Sequence, residues 1–296
     1  MQNNTSTVIE SQLDWLTAAV HNGASAAHLE RLANAWSAQE QHCGEQRVPF
    51  RLKGYDGFQR GRVRFGSREG AALVQLSGDL AARHFDTLVP LADSISRLDI
   101  AVTVRLPETD DDLGLRSFRQ AKRWYDDHNH AALPSYHGDA LGGYTCYVGD
   151  RSSDWFLRIY NKAAESRDDP GQSEHYRHCW RYELECKGPT APRLAAALAV
   201  PDEGHRSADI QQMLHDYVGR HGILPTFDQT GGQSLVKGFR RRSDRDSKLA
   251  WLAKSVRPTI AWLADTGDAA DIWQALNVQE TQLTNHSVAP REQSLE

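Results

Sequence analysis

The feature that most constrains the fold of this chain is the alternation of apolar and polar residues in three segments, 97–104, 155–162 and 180–186. Successive side chains of a β-strand point to opposite faces, so each segment predicts a strand with one apolar face and one ionisable face. An antiparallel sheet can hold one face against a core while the other meets water. Helical patterns lie between the strands, which predicts an α+β fold: an antiparallel β-sheet core with packed helices, followed by a small helical C-terminal segment.

The sequence predicts three regions. Residues 1–222 contain the strand patterns and are expected to form the α+β catalytic domain. Turn-rich sequence follows, and residues 223–278 are expected to form a basic helical segment that contacts DNA. Residues 279–296 are polar and predict a disordered tail.

The charge of the chain is unevenly distributed. The formal net charge of −5 argues mildly against a nucleic-acid partner, because phosphate binding usually leaves a basic footprint. Basic residues are nevertheless concentrated between 237 and 257, which predicts a phosphate-contacting surface, although a solvated charge run would look the same. The candidate DNA contacts are Lys237, Arg240, Arg241, Arg242, Arg245 and Lys248.

The sequence shows neither an apolar run of the length a membrane span needs nor the pattern of a signal peptide at its start. We therefore expect a cytoplasmic protein with no membrane partner. The four cysteines lack metal-site spacing and are expected to be reduced, mostly buried thiols.

The polar faces of the three strands carry carboxylates, a phenol and two cations. Their members are Asp99, Arg158, Tyr160, Lys162, Glu183 and Glu185. The simplest interpretation is a wet sheet face with solvated charges. The combination also fits a second interpretation, because carboxylate oxygens suit Mg²⁺ or Mn²⁺, a phenol can act as a covalent nucleophile, and cations stabilise a reacting phosphate. Together these groups favour phosphodiester transfer to tyrosine, which keeps the energy of the broken bond in a covalent link.

Four short motifs, at residues 75–78, 96–102, 147–162 and 180–185, resemble in content and order those of the replication initiation factor family. That family includes the Rep-trans initiators of plasmids, initiators of certain filamentous phages and related nicking relaxases. The resemblance implies a sequence-specific nickase that starts rolling-circle replication, forms a 5′-phosphotyrosine link, leaves a 3′-hydroxyl primer and uses Mg²⁺ or Mn²⁺. Phage, plasmid and conjugative element all stay open as the source.

The resemblance also implies roles for individual residues. The nucleophile of the family falls on Tyr160. The metal-binding carboxylates fall on Asp99 and Glu183, and Glu185 is a candidate third ligand.

The cations beside the nucleophile, Arg158 and Lys162, are candidate contacts of the reacting phosphate. The sequence departs from the family pattern close by. Asn161 stands where aspartate is common, and Asp150 stands where serine is usual in a turn. Both residue types are compatible with turns.

Several alternatives are open at this point. Tyr147, on the neighbouring predicted strand, is the main rival nucleophile. His128 and His130 are more simply a solvated helix end than a metal motif. Glu183 and Glu185 lie two apart on a strand and point the same way, so they are not arranged to flank a sugar bond. A non-catalytic DNA-binding regulator and a metal-dependent hydrolytic nuclease are the competing functions.

The expected partner is origin DNA, supercoiled or single-stranded at the nick site. The sequence has no phosphate-binding loop of the GxxxxGK[ST] type, so we expect a host helicase to unwind the DNA. A homodimer is compatible with the sequence.

Overall fold

The structure is a computed structural model that describes residues 6–40, 46–52, 54–107, 112–128, 133–138, 143–199 and 203–232. The chain divides into two compact units, Met1–Phe239 and Arg240–Glu296. The second unit lies wholly outside the described residues, so the basic helical segment and the tail stay predictions. The same holds for the candidate DNA contacts Lys237, Arg240, Arg241, Arg242, Arg245 and Lys248.

The described residues of the first unit form an antiparallel sheet of ten strands. Across the sheet the strands follow the order β2-β3-β4-β5-β1-β6-β10-β9-β8-β7. Their bounds are β1 Thr7–Val20, β2 Val48–Leu52, β3 Tyr55–Arg60, β4 Val63–Arg68, β5 Ala71–Ser77, β6 Ser94–Arg105, β7 Ser135–Gly138, β8 Tyr144–Val148, β9 Trp155–Asn161 and β10 Cys179–Lys187.

The helices have the bounds α1 Gly23–Gln39, α2 Asp79–Leu88, α3 Leu113–Asp127, α4 Lys162–Glu165, α5 Pro170–His175, α6 Thr190–Leu198 and α7 Glu203–Arg220, and a 3₁₀ turn spans Val89–Leu91. Helices α1, α2, α3, α6 and α7 pack on the apolar face of this sheet, whereas the short helices α4 and α5 contribute residues to a groove on the other face. Helices α6 and α7 pack on β6 at the centre, α1 on β4 and β5, and α3 on β8 and β9. The predicted α+β class with an antiparallel sheet and packed helices is confirmed.

The core lies between the helices and the alternating apolar residues of the strands. Leu98, Ile100, Val102 and Val104 of β6 are all buried in it, as the alternation predicts. The same alternation turns Asp99 and its neighbours two residues apart to the opposite face. The described cysteines, Cys146, Cys179 and Cys186, are buried free thiols, as expected.

Local sequence explains where the elements begin. Asn22 caps α1 by accepting a hydrogen bond from the backbone N–H of Ser25 (2.8 Å), and Asp112 caps α3 through the N–H of Leu115 (2.7 Å). The proline in the 3₁₀ turn Val89–Leu91 follows the end of α2, where it cannot continue the helix.

Strands β8 and β9 form a hairpin, and its turn fixes how the two strands face each other. Gly149 has φ of +94°, a conformation that suits glycine, and Asp150 accepts a hydrogen bond from the N–H of Ser152 (2.6 Å). The aspartate at position 150 therefore stabilises the turn. The resulting register pairs Tyr147 with Arg158.

Candidate active site

A polar groove of about 1000 Å³ crosses the sheet face opposite the core. Strands β1, β6, β8, β9 and β10 contribute side chains to it, and residues of α4 line another part. Asp99, Glu183 and Glu185 are buried. The interpretation of a solvated sheet face is therefore wrong for these carboxylates. Burying a charged group costs free energy unless an opposite charge pairs with it, so these carboxylates are expected to have cationic partners in the groove.

Tyr160 lies on the same face as the carboxylates. It pairs in register with Arg181 of β10, and its hydroxyl donates a hydrogen bond to Oε2 of Glu183 at 3.0 Å. Burial raises the pKa of the Tyr160 phenol well above its ordinary value, and the Glu183 carboxylate raises it further. The phenol is therefore protonated at neutral pH, with its proton already directed at a carboxylate.

Glu183 links the phenol to a cation. Its second oxygen, Oε1, accepts a hydrogen bond from the guanidinium of Arg158, which pairs with it across β9 and β10. Burial raises the pKa of Glu183, nearby Asp14 raises it further, and Arg158 opposes both effects. A carboxylate with a raised pKa, within hydrogen-bond reach of a nucleophile, has the geometry of a general base.

Asp99 and Glu185 form a pair of neighbouring carboxylates. They face each other across β6 and β10, and Arg97 binds both, through its Nε to Asp99 (3.0 Å) and its Nη2 to Glu185 (2.9 Å). Lys187 also pairs with Glu185. Burial raises the pKa of Asp99 to about 7, against the opposing effect of Arg97. Arg97 and Lys187 thus hold together two carboxylates that would otherwise repel each other.

The donor chemistry of Asp99 and Glu185 fits a hard divalent cation. Mg²⁺ is commonly bound through one or two carboxylates, with water and substrate phosphate completing its shell. Within the described ranges, no group of three or more His, Cys, Asp or Glu side chains is arranged as a metal site. Glu183 contacts Arg158 and Tyr160 instead, so its predicted role as a ligand stays a prediction.

The two predicted phosphate contacts differ in placement. Arg158 is on β9 and is bound to Glu183. Lys162 is not on the strand, as the alternation predicted, but begins α4, because the side chain of Asn161 caps that short helix at the N–H of Ala164 (3.0 Å). The ammonium of Lys162 pairs with Glu165 at 2.6 Å and lines the groove.

Sequence reasoning missed one part of the site, a buried ion-pair network on β1. The guanidinium of Arg181 binds Glu10 (2.6 Å), Asp14 (2.9 Å) and the hydroxyl of Thr103 (2.9 Å). Polar residues alternate at positions 10, 12 and 14, which is a strand signal that could have revealed it. Arg181 stands opposite Tyr160 and favours its phenolate form.

Two other sequence candidates, Tyr147 and His128, make contacts different from those of the Tyr160 site. The ring of Tyr147 stacks on Phe156 rather than meeting a carboxylate, with ring centroids 5.5 Å apart. His128 ends α3, where its Nδ1 bonds the carbonyl of Trp124 at 2.8 Å. That contact is what an imidazole at a helix end is expected to make. His130 lies outside the described residues.

Comparison with known proteins identifies a family whose model matches part of this chain. Residues 93–221 match the family model described as replication initiation factor. The resemblance to this family is thereby confirmed, and three of the four motifs lie inside the matched segment, whereas the motif at 75–78 lies before it. Asp99, Tyr160 and Glu183 lie inside the matched segment, whereas Glu10 and Asp14 lie before it.

Among solved structures, the rolling circle replication initiator protein from Geobacillus stearothermophilus is similar, with 17% identity and a TM-score of 0.43. The similarity covers 74% of this chain and 99% of that chain. No curated protein matches this chain. Among the described helices, none is both long and apolar enough to cross a membrane.

Proposed function

We propose that this chain is a rolling-circle replication initiator that nicks one strand of origin DNA through Tyr160. The observation that carries the proposal is the hydrogen bond from the Tyr160 hydroxyl to Glu183 inside a groove that is also lined by Arg158 and Glu185. The buried Asp99 is the register partner of Glu185. The match to the replication initiation factor family supports the same conclusion.

The proposed reaction is an in-line displacement at one phosphodiester. The Tyr160 oxygen forms a bond to phosphorus as its proton passes to Glu183, and the bond from phosphorus to the 3′ oxygen breaks. The departing 3′ oxygen takes a proton from water and becomes the hydroxyl that primes synthesis. The products are a 5′-phosphotyrosine link and a free 3′-hydroxyl, and attack by a 3′-hydroxyl on the link later rejoins the strand.

The cations of the groove support this step by balancing charge. Arg158 contacts Glu183 directly, and Arg181 faces Tyr160 across the strand pair, so both favour negative charge at the reacting oxygens. Lys162, at the start of α4, supplies a further positive charge beside the Tyr160 ring, with its Nζ 6.0 Å from the ring centroid. We assign Arg158 and Lys162 to the scissile phosphate, whereas Arg181 acts from its buried position beside Tyr160.

Asp99 and Glu185 are the residues that would hold a divalent cation. Bound Mg²⁺ or Mn²⁺ would neutralise charge on the scissile phosphate. Arg97 bridges the two carboxylates in the present arrangement, which keeps the buried pair neutralised and the side chains oriented.

The partners follow from this function. Origin DNA is the proposed substrate, and a host helicase and a homodimer stay predictions, as does a cytoplasmic location. The basic residues Lys237, Arg240, Arg241, Arg242, Arg245 and Lys248 remain proposed DNA contacts.

The direct test is a covalent adduct. The chain is incubated with supercoiled DNA of the replicon that encodes it and Mg²⁺ or Mn²⁺, denatured, and examined by electrophoresis for protein joined to DNA. The proposal predicts an adduct that Tyr160→Phe abolishes without weakening DNA binding. Tyr55→Phe, on the distant strand β3, is the matched control and should retain the adduct.

The competing functions give different outcomes in the same assay. A non-catalytic regulator binds the DNA but forms no adduct even in the unmutated protein. A hydrolytic nuclease nicks the DNA without an adduct, and its nicking survives Tyr160→Phe.

A further inference from the structure

An aromatic cluster lies at the end of the groove, on the β8–β9 hairpin. Tyr147 and Phe156 stack with centroids 5.5 Å apart and planes inclined by 17°. His137 of β7 meets the Tyr147 ring at 5.6 Å and 61°, and the guanidinium of Arg151 lies 5.1 Å from the centroid of Phe156. These side chains line a cavity of about 510 Å³.

This cluster is unusual because it stands on the charged face of the sheet. Phe156 pairs in register with Glu185, and it is only 3% exposed although its strand neighbours on that face are Arg158 and Tyr160. Phe156 supports the ring of Tyr147 from below, and Tyr147 itself is partly exposed to the groove. The guanidinium of Arg151 lies 5.8 Å from the centroid of the Tyr147 ring, so Tyr147 combines a fixed, partly exposed aromatic surface with a neighbouring cation. A partly exposed aromatic ring of this kind can stack on a planar ligand.

The cluster is continuous with the proposed nicking site. Tyr147 and Arg151 line both the main groove and the smaller cavity. Thr145 is the register partner of Tyr160. Tyr147 lies two residues further along β8, which puts its Cα about 7 Å from the Cα of Thr145. Tyr147 is therefore placed two register positions along the groove from Tyr160, beside Arg158.

We propose that Tyr147, supported by Phe156 and flanked by His137 and Arg151, is a stacking subsite for an unpaired nucleobase next to the scissile phosphate. The inference rests on the proposed function, which puts DNA in the groove. Aromatic side chains beside cations are the means by which proteins hold single strands. A base inside a duplex has both faces covered by neighbouring base pairs, so the subsite accepts a strand that is unpaired at the nick.

The test separates stacking from charge by comparing two fluorescent oligonucleotides of about 12 nucleotides, within the site sizes of single-strand binders. One is oligothymidine, and the other carries an abasic sugar at every position, which keeps the phosphates and removes the bases. Binding is measured by fluorescence anisotropy at fixed ionic strength, because phosphate contacts depend strongly on salt.

The proposal predicts that Tyr147→Ala weakens oligothymidine binding by about 5- to 150-fold, the loss expected for one stacked base. The same variant should bind the abasic oligonucleotide as the unmutated protein does. Tyr147→Phe keeps the ring and should bind both normally, and Tyr55→Ala on β3 is the matched control without effect. Tyr147→Leu keeps apolar bulk over Phe156 and should lose stacking even if Tyr147→Ala folds poorly.

Three outcomes would overturn the proposal: no loss in Tyr147→Ala and Tyr147→Leu, an equal loss for both oligonucleotides, or no binding of oligothymidine by the unmutated protein. Oligonucleotide binding involves no covalent step, so the same measurement can be made with Tyr160→Phe as the parent protein. If tyrosine nicking fails, the binding result is unchanged. If stacking fails, the covalent-adduct assay still tests Tyr160 separately.

Discussion

Replacing Arg181 with methionine should destabilise the fold far more than replacing an arginine at the surface. Arg181 is the cation of a buried network, and its side chain is 3% exposed, against 24% for Glu10 and 18% for Asp14. Methionine fills much of the space but leaves two carboxylates without their cation. The hydroxyl of Thr103 also loses its donor.

The size of the effect follows from this burial. Breaking a buried ion pair by removing one partner costs about 3–5 kcal/mol. Glu10 and Asp14 keep a water-exposed edge and can be partly rehydrated, so we expect about 3 kcal/mol, at the lower end of that range. For a domain of this size, that free energy lowers the melting temperature by about 6–12 °C.

The assay is thermal unfolding followed by tryptophan fluorescence, with Arg177→Met as the matched control. Arg177 pairs with Glu174 at 3.7 Å, and both side chains are mostly exposed, so its loss should cost less than about 1 kcal/mol. Adding Glu10→Gln and Asp14→Asn to Arg181→Met removes the stranded charges and should recover most of the stability. Equal losses in the two single variants, or no recovery in the triple variant, would refute the reasoning.

Three further predictions concern the cation, an ion pair and a tight backbone contact. Mn²⁺ should raise the melting temperature, Asp99→Asn should abolish the increase and Tyr160→Phe should retain it; an increase that survives Asp99→Asn would place the cation elsewhere. Glu40→Gln breaks the ion pair with Arg62 and should lower the free energy of unfolding by about 1 kcal/mol at neutral pH. Because Arg62 lowers the pKa of Glu40, the stabilisation by this ion pair is present above the ordinary glutamate pKa and is lost as the pH falls through the lowered pKa. The melting temperatures of the two proteins should therefore converge in acid. Gly57→Ala puts a methyl group 2.1 Å from a backbone carbonyl oxygen of β4 and should cost at least about 2 kcal/mol in urea unfolding, whereas an unchanged midpoint would show that the strands can separate there.

The sequence predicted the parts of the fold and site that depend on local periodicity. Alternation in β6, β9 and β10 placed Asp99, Tyr160 and Glu183 on polar faces, and the structure shows those faces to be one. Alternation cannot give the pairing partner of a strand, because register depends on contacts distant in sequence. The contact of Tyr160 with Glu183 and the sharing of Arg97 by two carboxylates therefore needed the structure.

Burial was the other property beyond the reach of sequence. A polar strand face is usually wet, which made the charges look solvated. Here the long strand β1 brings Glu10 and Asp14 to the groove beside Arg181, and the resulting pairs allow charged groups to be buried. Lys162 illustrates a local failure, because the strand pattern ends at Asn161 when its side chain caps the next helix.

The most direct test of the central claim is to locate the DNA on the protein. After adduct formation, nuclease digestion leaves a nucleotide on the attached residue, and trypsin cleaves after Arg158 and Lys162. The released peptide 159–162 contains Tyr160 as its only tyrosine. Mass spectrometry should find the nucleotide phosphate on this peptide, and its presence on a different tyrosine, or on none, would contradict the assignment of Tyr160 as the nucleophile.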